Sequence, residues 1–116
     1  MLVRVARQFR VGMDEEALYV ATRQWWRIGT DRMKLGTPRS PEWAIAVYKG
    51  VGRAVYKIEG WRPPSAKQVA AEPRLKGRWA FMGKLDSEMT DCYKGSDVSA
   101  ELPVSAQNPI RYVNCD

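Results

Sequence analysis

The order of periodic, capping and turn signals along these 116 residues predicts an α+β domain. Its expected parts are one main N-terminal helix, several short helices and a small curled antiparallel sheet. Three observations carry that prediction. Leu18, Ala21, Thr22 and Trp25 recur at i, i+3, i+4 and i+7, the stripe of an amphipathic helix. Two β-rich runs flank Lys49-Gly50 and read as a hairpin. Beyond Pro64, short capped helical patterns alternate with short strand patterns.

Taken in order, residues 2–9 mix Leu2, Val3, Val5, Ala6 and Phe9 with Arg4, Arg7 and Gln8, a pattern open between a strand and an irregular basic lead-in. Asp14 offers an N-cap, and Glu15 and Glu16 fall in the first turn, where carboxylates suit the helix dipole. The helix is expected to run on past Trp25, with Gly29 as its stop. Two prolines and a glycine make Gly36 to Pro41 a loop. Trp43 to Tyr48 is a short apolar strand, and Val51 to Glu59 its alternating partner, ended by Trp61-Arg62-Pro63-Pro64. Ser65 caps a short helix over Ala66 to Ala71. Arg78 to Leu85 resumes strand character, with Trp79, Phe81, Gly83 and Leu85 on one side. Asp86 or Ser87 caps a second short helix over Glu88 to Tyr93, closed by Gly95. A polar loop leads to Asn108-Pro109 and a final strand, Ile110 to Val113. Leu18, Trp25, Ile45, Val47 and Phe81 are expected to share one core.

A chain of this length is one domain, residues 1 to 116, and can bury a single core. No apolar run approaches the roughly 20 residues that a membrane span requires. Charges interrupt every apolar stretch from Met1 to Arg7, unlike a signal peptide, so a cytoplasmic location is expected. Cys92 and Cys115 are too far apart for a CxxC motif. Two partly buried free thiols are the simpler reading, although Cys115, near the chain end, leaves a disulfide open.

Five tryptophans, and no histidine, set the functional expectation. Trp26-Arg27, Trp61-Arg62 and Arg78-Trp79 each place a flat π-surface beside a fixed cation, suited to stacking on a base and holding a phosphate. The net charge of +6 permits attraction to phosphates or to an acidic partner. Without histidine, the usual general base and the commonest metal ligand are missing. Cys92 lacks its usual base partner, and no DxDxD-like cluster is present. Binding without catalysis, cofactor or metal is therefore expected.

Tyr19, Arg23 and Trp26 recur at i, i+4 and i+7, a second helix face with two aromatics around an arginine. That face either stacks bases or packs under the sheet with Arg23 at its rim. Arg78 lies on the polar side of its strand, available to a phosphate or carboxylate. Tyr93-Lys94-Gly95-Ser96 has the look of a phosphate loop without the upstream glycine of a P-loop, and Gly95 doubles as a helix C-cap. The amides of Gln107 and Asn108 complement a base edge, or else start the last strand through an Asx-type turn. Arg111 adds a cation on that strand.

Four runs are familiar as a set: Leu18-Tyr19 to Trp25-Trp26, Ala44 to Val51, Arg78 to Gly83, and the closing Gln107-Asn108-Pro109-Ile110-Arg111-Tyr112-Val113. Together they resemble a group of small uncharacterised bacterial and phage domains, over most of the chain from about Glu15 onward. At the level of fold alone, the helix, glycine-turned hairpin and Arg-Trp strand are similar to PUA-like domains, including EVE and ASCH modules. That likeness implies a curled sheet that binds RNA or modified bases. The leading expectation is a nucleotide or nucleic-acid site, modified bases included, built from Tyr19, Arg23, Trp26, Arg78, Gln107, Asn108 and Arg111. The alternative is a protein-interaction or inhibitor module, phage-encoded and directed against a bacterial defence system, with its Trp/Arg/Tyr surface as a hot-spot patch.

Overall fold

The computed structural model describes residues 1–5, 14–98 and 110–112. They form a mixed α+β domain around a five-stranded sheet. The strands are β1 (Leu2–Arg4), β2 (Trp43–Tyr48), β3 (Val51–Arg62), β4 (Ala80–Leu85) and β5 (Ile110–Arg111), in spatial order β4-β3-β2-β1-β5. The expected antiparallel sheet needs one correction. β1 runs parallel to β2, with Leu2 opposite Ile45 and Arg4 opposite Val47, while the other neighbours are antiparallel. A parallel neighbour needs a long crossover, and the chain between β1 and β2 supplies it. The ambiguous start of the chain is thus a strand at residues 2–4, and residues 6–13 lie outside the described part.

The hairpin follows from its turn. Lys49 and Gly50 both adopt positive φ, 50° and 78°, the pairing that a two-residue turn matched to strand twist requires. A register shift between Ala46 and Val47, and a second between Ile58 and Gly60, mark bulges that curve the sheet. Gly83 permits the second: a Cβ there would lie 2.1 Å from the Lys57 carbonyl oxygen.

Helix α1 (Glu15–Arg23) begins where the sequence places it, with the Asp14 carboxylate accepting from the Ala17 N–H at 2.7 Å. It ends earlier than expected. Gln24 is already extended, and Trp26 forms an antiparallel bridge to Trp79, N–H to carbonyl in both directions at 2.9 and 2.8 Å. The Trp26 indole N–H then donates to the Thr22 carbonyl at 2.8 Å, satisfying one of the carbonyls that the helix end leaves open.

Helices α2 (Ala66–Ala71) and α3 (Ser87–Tyr93) match their expected spans to within a residue. Ser65 and Gln68 form a reciprocal capping box on α2, and Asp86 caps α3 by accepting from the Met89 N–H at 3.0 Å. The Asp86 carboxyl is held below the usual carboxylate range, first by that bond and also by the Trp43 indole and the Lys57 charge. Where β4 stops, α3 runs on beside β3. The Thr90 hydroxyl accepts from the Val55 N–H at 2.9 Å and donates back to its carbonyl at 3.3 Å. Gly52 then pairs with Gly95 and Ser96 at 2.9 and 3.0 Å.

Two clusters replace the single expected core. The main one joins Val3, Val5, Ala44, Ala46, Ala54, Tyr56, Ile58 and Phe81 with Trp26 and Ile28, and Leu18 and Tyr19 of α1 pack against it. Val47 instead belongs, with Leu2 and Ile45, to a smaller cluster, because alternation along β2 sends Ala44 and Ala46 one way and Ile45 and Val47 the other. Trp25, expected in the core, is half-buried and joins neither cluster. Cys92 is exposed rather than partly buried and forms no disulfide, and Cys115 lies outside the described residues. No helix among the described residues is long and apolar enough to cross a membrane.

Candidate functional site

The roles of the paired tryptophans are reversed. Trp26 is only 9% exposed and sits in the main cluster with Tyr19 packed against it, so Tyr19, Arg23 and Trp26 follow the packed alternative, with Arg23 at the rim, and not as one continuous helix face. Its i+7 spacing presupposes a helix that has ended three residues earlier. Tyr19 and Arg23 do remain together, with the guanidinium carbon 5.4 Å from the ring centroid, a cation–π contact.

Around Arg23 the fold gathers further cations at the C-terminal end of α1. Burial lowers the Arg23 pKa from its ordinary value and the neighbouring Arg62 charge lowers it further, while Tyr19 acts in the opposite sense. Arg62 stands opposite Ala80 at the end of the β3–β4 pair, two residues from Arg78. Arg78 reaches α1's trailing segment by donating from Nη1 to the Trp25 carbonyl at 3.2 Å. It is therefore partly an anchor, not only the rim cation that the strand pattern suggests. The buried Nε atoms of Arg23 and Arg78 and the buried indole nitrogen of Trp61 have no hydrogen-bond partner. Among the described residues no carboxylate pairs with Arg23, Arg62 or Arg78; the ion pairs are Arg39–Asp31, Lys57–Glu42 and Arg74–Glu72. Half-buried Trp61 stands edge-on to Phe81 at 6.1 Å and 79°, and half-buried Trp25 and Trp79 flank the same end.

Of the other expected site residues, Arg111 does not join this cluster. Arg111 is exposed on β5, the opposite edge of the sheet from β4, and four strand spacings of about 4.8 Å put it on the order of 19 Å away. Gln107 and Asn108 lie outside the described residues. The phosphate-loop reading of Tyr93-Lys94-Gly95-Ser96 meets a direct obstacle. The Lys94 N–H donates to Thr90, that of Gly95 to Gly52 and that of Ser96 to Tyr93, so the amides that would cradle a phosphate are engaged.

A concavity opens at the other end of α1. It measures about 560 Å³ and lies between α1 and α3 over β3 and β4. Ala54, Tyr56 and Gly83 line its base, with Glu15 and Glu16 on α1 and Arg53 and Lys94 also at its margin. Tyr19 lines it too, its hydroxyl oxygen accepting from the Gly83 N–H at 2.9 Å. Tyr56, 2% exposed, has its phenol pushed up to about 12, chiefly by burial. A hydrogen bond with Thr22 opposes that shift, and the Glu15 and Tyr19 charges add to it.

Arg62 and Trp61 were legible as a Trp-Arg pair, but the bulge between Ile58 and Gly60 hid which way each points. The cleft had no sequence signal, since four separate elements contribute to it. Among the described residues no group of His, Cys, Asp and Glu side chains could hold a metal ion. Comparison with family models, with curated proteins and with solved structures returned no match for this chain.

Proposed function

We propose that this chain binds a phosphate-bearing ligand, a nucleotide or a nucleic-acid strand with modified bases included, at the arginine cluster where α1 ends. The observation that carries the reading is Arg23: partly desolvated, beside a second cation, its buried Nε unpartnered and no carboxylate paired with it. Burying a charge without an opposite charge is costly, and an anion at this place relieves that cost. The last turn of α1 supplies only about half a negative charge through its dipole. Three guanidiniums exceed that several-fold. Trp61 and Trp25, both half-buried, give a base surfaces to stack on. The resemblance of the helix, glycine-turned hairpin and Arg-Trp strand to PUA-like modules points the same way.

A fluorescein-labelled oligothymidylate titrated at several salt concentrations, with ATP as competitor, tests it. Arg23→Gln with Arg62→Gln is expected to flatten the salt slope by roughly 0.7 for each phosphate that is no longer neutralised. Binding that is insensitive to salt, or unchanged in the double variant, would refute the phosphate reading. Salt-insensitive capture of a protein dependent on Trp61 would favour the interaction-module reading instead.

A further inference from the structure

The cleft at the N-terminal end of α1 is separate from the arginine cluster, and its chemistry differs. At about 560 Å³ it falls within the range of small-molecule sites. Two small residues line its base, Ala54 on β3 and Gly83 on β4. Its base is aromatic, with the Tyr19 and Tyr56 rings 5.2 Å apart between centroids. The Tyr19 oxygen already accepts from Gly83, so its own proton is left to donate.

The cleft carries charges of both signs. Glu15 and Glu16 stand on the α1 wall, with Arg53 on β3 and Lys94 on the segment that ends α3 also lining it. Among the described residues Glu15, Glu16 and Lys94 enter none of the ion pairs. The helix dipole accounts for carboxylates in the first turn. It does not account for a lysine lining the same opening. A molecule carrying both charges would span that gap.

We propose that the cleft between α1 and α3 binds a small zwitterion with a planar apolar body, of the aromatic amino-acid class. Its ring lies against Tyr19 and over Ala54, its cationic group faces Glu15 and Glu16, and its carboxylate faces Lys94. The site is independent of the phosphate reading and can fail without it.

Isothermal titration calorimetry of the whole chain with three probes tests the proposal. They are L-phenylalanine, phenethylamine, which lacks the carboxylate, and 3-phenylpropanoate, which lacks the ammonium. L-phenylalanine is expected to bind at least about tenfold more tightly than either truncated probe, or roughly 1.4 kcal/mol. Lys94→Gln should bring L-phenylalanine down to the level of phenethylamine and leave phenethylamine unaffected. Glu15→Gln with Glu16→Gln should do the converse with 3-phenylpropanoate. All three side chains are exposed, so the variants keep the fold, as a melting curve will show. No heat with L-phenylalanine, equal affinity for the three probes, or affinities that ignore both variants would each overturn the assignment.

Discussion

Phe81 packs β4 against α1 and β3, and its removal measures how far that packing supports the fold. The side chain is 0% exposed and meets three rings, Tyr19 at 6.1 Å, Tyr56 at 6.2 Å and Trp61 at 6.1 Å. Deleting a buried aromatic costs roughly 3–5 kcal/mol. Partners that cannot easily collapse into the gap place Phe81→Ala toward the upper end. Unfolding entropy of about 2.1 cal/mol/K per residue converts each kcal/mol into about 4 °C for a chain of this length. The variant should therefore melt about 12–20 °C below the parent, and a urea titration should show a lower midpoint with an unchanged slope. Phe81→Leu keeps most of the volume and should cost less than about 1.5 kcal/mol. Phe81→Ala losing under about 1 kcal/mol would refute this packing. It would also undercut the arginine site, because Tyr19 under Arg23 and Trp61 beside Arg62 both rest on this ring.

Stability should fall at alkaline pH through Tyr56. Its folded pKa of about 12 lies above the ordinary 10, so the stabilisation is complete below pH 10 and is lost as pH rises from 10 to 12. The loss is roughly 2–3 kcal/mol at about 1.4 kcal/mol per pH unit. Tyr56→Phe should melt with a flatter profile across that window, and an identical profile would remove Tyr56 as the cause. Acrylamide should quench Trp25 more readily than Trp26, whose indole is buried and bonded to Thr22. Single Trp→Phe variants separate the two signals, and equal protection of both would contradict the bridge to Trp79.

What the sequence disclosed was what local signals control. The hairpin was legible because the turn at Lys49-Gly50 and the alternation on either side are settled within a few residues. Both short helices were legible through Ser65 and Asp86, whose side chains act three residues away. The failures are all long-range. Helix α1 stops because Trp26 pairs with Trp79, 53 positions along, and tertiary pairing overrides a periodicity that still continues. The parallel pairing of β1 with β2 joins residues about 43 apart and leaves no local mark. For the site, Arg23 and Arg78 could be singled out by type, whereas Arg62's place beside them depends on a bulge and on the end of another element.

The way α3 lies along β3 bears on how this protein meets copies of itself. Past Leu85 the outer side of β3 has no neighbouring strand, and a bare edge is a template for pairing with another chain. Here the place is filled by α3 and the segment after it, through the Thr90 hydroxyl, the Gly95–Ser96 turn, the bridge of Asp97 to Val51 and the Val98 N–H donating to the Gly50 carbonyl at 2.7 Å. Such a cover can lift without disturbing the main cluster, since α3 contributes no residue to it. Self-association at high concentration should thus be governed by Thr90 more than by any core side chain. Solubility and thermal stability would then be set by different parts of the chain and could be changed separately.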